Sequence, residues 1–375
     1  MNSNIRIDLK KSHDSYVFDK NTQREILDFH SHYSSLTLGY NHNIFDSHQF
    51  KDEILMNSKI KISFCAYESE EKNEFDIEFR KFVVPKYFNF VHYCSTGSLA
   101  VETACKVAMH YHNYTRTKIL SIKNSFHGIN SFGNFLTTSS RLDGIPKHAS
   151  LTFDTIENYL KLYTEEDFEN VSAIVIEPIQ CTSGDVYLPN EQLKQIRELC
   201  TKYNIVLIYD EIQTGLSTGK TFYFQYSDIT PDIIVFGKKF QVSGIIVREG
   251  FDSIKEDIMR LSVTFDSSVV DMTRSKYILR EIYHNGLLEK SIVTGDSLRL
   301  GLSAVPQLKN VRGIGGLIAF DFDNKEQRDY FYKTAFKNGL MANPTGEKTI
   351  RLRPSLAITY DEVLKAVQII TNSVK

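Results

Sequence analysis

At 375 residues the chain is long enough for two domains or one large composite domain with a sizeable core. Its apolar (42%) and charged (24%) fractions are those of a globular protein, and 44 Lys+Arg against 46 Asp+Glu leave a net charge of −2. The basic residues are scattered, which speaks against nucleic acid or an anionic membrane as a partner. Cys65, Cys94, Cys105, Cys181 and Cys200 are odd in number and form no Cys-x-x-Cys pair. They read as reduced thiols of a cytosolic protein, not as a disulfide framework or a zinc site. Residues 1–11 are polar and charged, unlike a signal peptide, and no apolar run is long enough for a bilayer.

In chain order, residues 1–45 are read as a segment that joins a C-terminal domain or crosses a dimer interface. Residues 99–111 have a helical pattern. Short apolar runs follow at 118–122, 173–176, 205–209, 233–236 and 244–247, with a helical pattern at 190–203. The runs are β-branched and several lack polar alternation, as in strands buried on both faces of a sheet rich in parallel pairs. From about residue 274 the pattern changes. Helices are expected at 273–285, 288–303, 325–338 and 361–373, and a strand at 317–321. The layout is α/β: a large domain over 46–273 with a mostly parallel central sheet, then a smaller α+β domain over 274–375.

In open α/β sheets ligands bind beyond the carboxyl ends of the strands, so polar residues directly after buried runs carry information. The 173–176 run ends in Glu177-Pro178, the 205–209 run in Asp210-Glu211, and the 233–236 run in Gly237-Lys238. Each alone reads more readily as an ordinary solvated loop residue; jointly they point to one charged pocket. Residues 94–98, Cys-Ser-Thr-Gly-Ser, precede the 99–111 helix. Such a turn holds phosphate on free amides, or is a plain N-cap with no ligand.

Together these segments resemble the class III aminotransferases, in the fold-type-I group of enzymes dependent on pyridoxal 5′-phosphate (PLP). The likeness rests on residues 207–215 (Leu-Ile-Tyr-Asp-Glu-Ile-Gln-Thr-Gly) and 230–238 (Thr-Pro-Asp-Ile-Ile-Val-Phe-Gly-Lys). Residues 96–102, 125–128, 176–180, 311–313 and 350–354 add to it, so it runs from about Tyr16 to the end. Within the family, residues 34–39, 236–242 and 260–264 resemble the lysine 6-aminotransferase branch.

The resemblance implies roles. Lys238 would form the Schiff base with PLP and shuttle a proton, with Lys239 as its rival. Asp210 would face the pyridinium nitrogen and Gln213 the phenolic oxygen. Phe126 would stack on the ring, unless it only packs the core, with His127 and Gly128 supporting its turn. Thr96, Gly97 and Ser98 would cradle the phosphate, together with Thr264 from the second subunit of a homodimer. Glu177 would lie near the pocket, and Arg351 would take a substrate carboxylate.

Three departures bear on substrate. Thr182 stands where ω-amine-specific relatives carry a glutamate that masks the arginine. Ile129 stands where lysine 6-aminotransferases carry an arginine for the lysine carboxylate, which a guanidinium fork suits and isoleucine does not. Asp266-Ser-Ser268 replaces a Gly-Gly-Asn, and the stretches 59–86 and 130–150 are short, so a more open cleft is expected. The leading expectation is a transaminase taking nitrogen from a donor such as L-glutamate to an aldehyde or keto acceptor. The alternatives are a racemase, decarboxylase or aminomutase on the same fold, or a silent scaffolding homologue.

Overall fold

Residues 88–94, Phe-Asn-Phe-Val-His-Tyr-Cys, carry an asparagine and a histidine, yet they form a strand of the main sheet. The computed structural model describes residues 5–61, 67–138, 152–162 and 164–374. Its largest sheet runs Phe88–Cys94, Ser243–Arg248, Ile233–Phe236, Val206–Asp210, Val171–Ile176, Lys118–Ser121, Thr152–Thr155. From Ile233–Phe236 outward every pairing is parallel. Ser243–Arg248 alone among these runs antiparallel to both neighbours. Residues 237–242 are too few for a crossover, so the chain can only turn back there. Gly244 permits this fit, because a Cβ there would lie 2.3 Å from His92 O.

The three central strands are buried along their whole length. That requires cover on both faces, and it explains the absence of polar alternation. Helix Gly97–Tyr111 covers one face through Ala100, Val101, Ala104, Cys105 and Ala108, which pack in one core with Val175, Ile208, Val235 and Ile245. Its small residues let the helix sit close to the strands. Helix Asn190–Lys202 buries Leu193, Ile196 and Cys200, one stripe at helical spacing.

These elements belong to a compact unit of residues 57–215 and 222–273; residues 5–56, 216–221 and 274–374 form a second. In the second, Lys309–Ile314, Leu317–Asp321, Thr349–Leu352 and Asn343–Thr345 make an antiparallel sheet. Leu298 and Leu302 of helix Leu287–Ser303, Phe331 of Lys325–Lys337 and Ile370 of Tyr360–Thr371 pack with Ile318, Phe320 and Ile350. The N-terminal hairpin Tyr16–Asp19 with Arg24–Asp28 takes Leu340–Met341 as its third strand. The expected 273–285 helix starts earlier, as Val269–His284. Residues 139–150 of the short 130–150 stretch and 62–66 of 59–86, with Cys65, fall outside the described residues. None of the four described cysteines is in a disulfide. No helix among the described residues is long and apolar enough to cross a membrane.

Candidate active site

The parallel register sets Val235 beside Asp210 and Tyr209 beside Ile176. The three strand ends that carry Lys238, Asp210 and Glu177 therefore emerge side by side on one edge of the sheet. Strand Phe88–Cys94, antiparallel to Ser243–Arg248, points the same way and delivers Thr96 to that edge. The loop after Lys118–Ser121 brings Phe126 and His127.

Asp210 is buried, and each of its oxygens has a donor. His127 Nδ1 donates to Oδ2 at 2.9 Å, and Ile212 N donates to Oδ1 at 3.1 Å. The imidazole thus fixes one face of the carboxylate. Glu177 accepts from Phe126 N at 2.8 Å, tying the Phe126 turn to the next strand. Burial pushes the Glu177 carboxyl up to about 7; His127 opposes this and Asp210 adds to it. Burial likewise pushes Glu211 up to about 7, although Tyr223 N, Phe224 N and Thr214 Oγ1 all donate to it. Glu211 is wholly buried and anchors the 223–224 turn. It belongs to the scaffold beneath Asp210.

Lys238 has φ +50° and opens the 3-10 turn Lys238–Phe240, closed by Gln241 N donating to Lys238 O at 2.8 Å. A left-handed lysine costs roughly 1–2 kcal/mol, and such strain collects where a side chain must be aimed. Lys239 beside it is fully buried, whereas Lys238 is partly accessible. Thr96 Oγ1 accepts from Leu99 N at 3.3 Å as the N-cap of helix Gly97–Tyr111. Helix geometry leaves the first-turn amides without intrahelical partners. Gly128, at φ +122°, closes over this turn: a Cβ there would meet Ser98 Oγ at 2.7 Å.

Gln213 Nε2 and His127 Nε2 are buried with no hydrogen-bond partner among the described residues. An unpaired buried amide donor costs about 1–3 kcal/mol, so Gln213 Nε2 marks the place of a missing acceptor. A polar, phosphorylated ring compound meets these demands: an N-terminal helix turn, a buried carboxylate, an amide donor and an accessible lysine. The residues present fit PLP.

Ile129 is exposed, and Thr182 lies in the turn that joins the two strands of the small ribbon, Ile179–Gln180 and Val186–Tyr187. Arg351 lies in the other unit, buried on strand Thr349–Leu352. Its register partner is Asn343. With the Asn343 amide turned to satisfy both groups, its oxygen accepts from Arg351 Nε and Nη2, each at 3.0 Å. Sequence reasoning missed Asn343 as a support; the Gly346 turn between the two residues was the available sign. It also missed the His127–Asp210 bond, for which pattern gives no signal.

A family model for aminotransferase class-III matches residues 1–374. The chain belongs to the class-III aminotransferases; it is a PLP-dependent transaminase that moves an amino group between small-molecule donors and acceptors. It is 28% identical over 405 residues to L-lysine-epsilon aminotransferase of Mycobacterium tuberculosis, covering 97% of this chain and 90% of that protein. It is 30% identical over 390 residues to ornithine aminotransferase of Emericella nidulans, covering 94% and 82%. The solved structure of lysine aminotransferase from M. tuberculosis in the internal aldimine form superposes with a TM-score of 0.89 at 27% identity, over 99% of this chain and 94% of that one.

Proposed function

We propose that this transaminase is a cytosolic homodimer that holds PLP on Lys238 and takes nitrogen from L-glutamate. The observation that carries the reading is the left-handed Lys238 one strand away from the His127-supported Asp210. When bound, PLP supplies the carbonyl that takes up the amino group and a ring that accepts negative charge from the substrate carbon. Asp210 holds the proton on the ring nitrogen, and His127 keeps Asp210 in register. Gln213 Nε2 donates to the phenolic oxygen. Phe126 covers a ring face, with its turn pinned by Glu177. Thr96, Gly97 and Ser98 hold the phosphate, joined by Thr264 of the partner subunit. Lys238 Nζ would hold the cofactor's carbonyl carbon at rest and would serve as the base that moves a proton during amino transfer.

Arg351, oriented by the neutral Asn343, takes the donor's carboxylate. Thr182 carries no charge with which to mask that guanidinium, and the exposed Ile129 offers no second carboxylate site. Glutamate suits such a pocket better than an ω-amine, and the acceptor is an aldehyde or keto compound. Borohydride reduction and peptide mapping test the lysine: the pyridoxyl label is expected on Lys238, and a label on Lys239 would overturn the assignment. Single-turnover reaction of the PLP form with glutamate and with an ω-amino acid tests the donor, glutamate being the faster.

A further inference from the structure

We infer that Asp266 is a positioning residue of the cofactor site: it fastens the segment that carries Thr264 to the residue that opens the Thr96–Ser98 turn. This rests on the reading of that turn as the phosphate cradle.

Asp266 is 1% exposed. Its Oδ1 accepts from Ser95 N at 3.1 Å, with Ser95 Oγ at 3.2 Å, and its Oδ2 accepts from Val263 N at 3.0 Å. His92 Nε2 lies 3.5 Å from Oδ2, with both side chains 2% exposed. That contact lies outside hydrogen-bond geometry, so Ser95 and Val263 set the direction of the carboxylate. Ser95 Oγ is also 2.9 Å from Phe265 O; its one proton serves either acceptor. Taking a carboxylate out of water costs several kcal/mol unless donors surround it, and here they come from two segments far apart in sequence.

Ser95 is the residue before Thr96, which enters the helix extended at φ −148°. The orientation of the Ser95–Thr96 peptides therefore sets where the Gly97 and Ser98 amides point. Asp266 holds that orientation from the far side. Its carboxylate is held there by two amides and the Ser95 hydroxyl. A glycine at 266, as the resemblance leads one to expect, has no side chain with which to make this tie.

The test compares binding of PLP and of pyridoxal, which lacks the phosphate, to the full-length apoprotein by fluorescence titration. Asp266→Ala is expected to weaken PLP about tenfold, the scale of losing charge-assisted hydrogen bonds, and to leave pyridoxal unchanged. Asp266→Asn, which keeps an acceptor for Ser95 but turns a donor toward Val263 N or the reverse, should fall between; if the alanine variant does not fold, it decides by the same ratio. Gly97→Pro is the control for the cradle: proline suits the first helical position and deletes one amide. An unchanged PLP-to-pyridoxal ratio at position 266, with a lowered ratio in Gly97→Pro, overturns the inference and leaves the cradle standing. Equal weakening of PLP and pyridoxal by Asp266→Ala also overturns it. If Gly97→Pro leaves the ratio unchanged, the cradle reading fails, and the inference with it.

Discussion

Asp210 and Glu177 are neighbouring buried acids, and their surroundings separate their tasks. Asp210 has a donor on each oxygen and His127 against it, a setting that suits a carboxylate facing a protonated ring. Asp210→Asn should keep PLP through the phosphate yet lower turnover by at least about 100-fold, the scale of a lost preorganised electrostatic contact. Steady-state kinetics on the PLP-loaded variant check this. Glu177 accepts from the Phe126 and Cys181 amides, yet burial lifts its carboxyl to about 7 from the ordinary 4.5. The folded state then keeps a proton that the unfolded state releases between those values. Stability must fall as pH rises through that window and level off above it, by on the order of 3 kcal/mol for this group. Glu177→Gln should flatten part of the fall in melting temperature between pH 4.5 and 8; an unchanged slope would refute the assignment. Arg351→Ala should weaken the glutamate half-reaction by about 2–5 kcal/mol, the usual scale for removing one side of a buried charge pair. Thr182→Glu should shift preference toward ω-amines. Single-turnover rates with both donors decide each point.

At the scale of elements, the site depends on turns more than on strands. The Phe126–Gly128 turn presses on the N-terminus of helix Gly97–Tyr111, and only glycine tolerates both φ +122° and the 2.7 Å approach to Ser98 Oγ. Gly128→Ala should cost about 1–3 kcal/mol in strain. If the Ser98 turn holds phosphate, the same change should weaken PLP more than pyridoxal, measurable by titration of the apoprotein. The helix's buried face imposes a second limit. Ala104 is wholly buried among the sheet residues, so Ala104→Leu should destabilise by about 1–3 kcal/mol through overpacking. The runs at 173–176, 205–209 and 233–236 were legible because strands covered on both faces are unbroken apolar runs. Phe88–Cys94 was not, because the run carries Asn89 and a buried polar residue, His92, which lies 3.5 Å from Asp266 of a distant segment.

At the scale of the molecule, each compact unit has its own core, and the chain passes between the units more than once. The proposed contribution of Thr264 to the other subunit's phosphate makes a pair of chains the smallest active form. Sedimentation at assay concentration should give twice the 43.1 kDa of one chain. A fully active monomer would contradict the role given to Thr264. Hybrid dimers that pair Lys238→Ala with Thr264→Ala chains give a sharper check. They place both lesions in one site or divide them between two, and only an assignment across the interface predicts the surviving activity.

The sequence by itself determined the family, the α/β class and the strand ends at Glu177, Asp210 and Lys238. These depend on local patterns: buried runs, then a polar residue where the strand stops. It also showed the uncharged Thr182 and Ile129, because identity alone states what a side chain cannot do. Only the tertiary structure decided that His127 supports Asp210, that Asn343 orients Arg351, and that Asp266 reaches Ser95. Each of these joins segments brought together by sheet register or by loops returning to one edge, and no local pattern encodes which distant donor meets a buried acceptor. The same holds for Glu177, whose carboxyl is shifted by the burial that folding imposes on it.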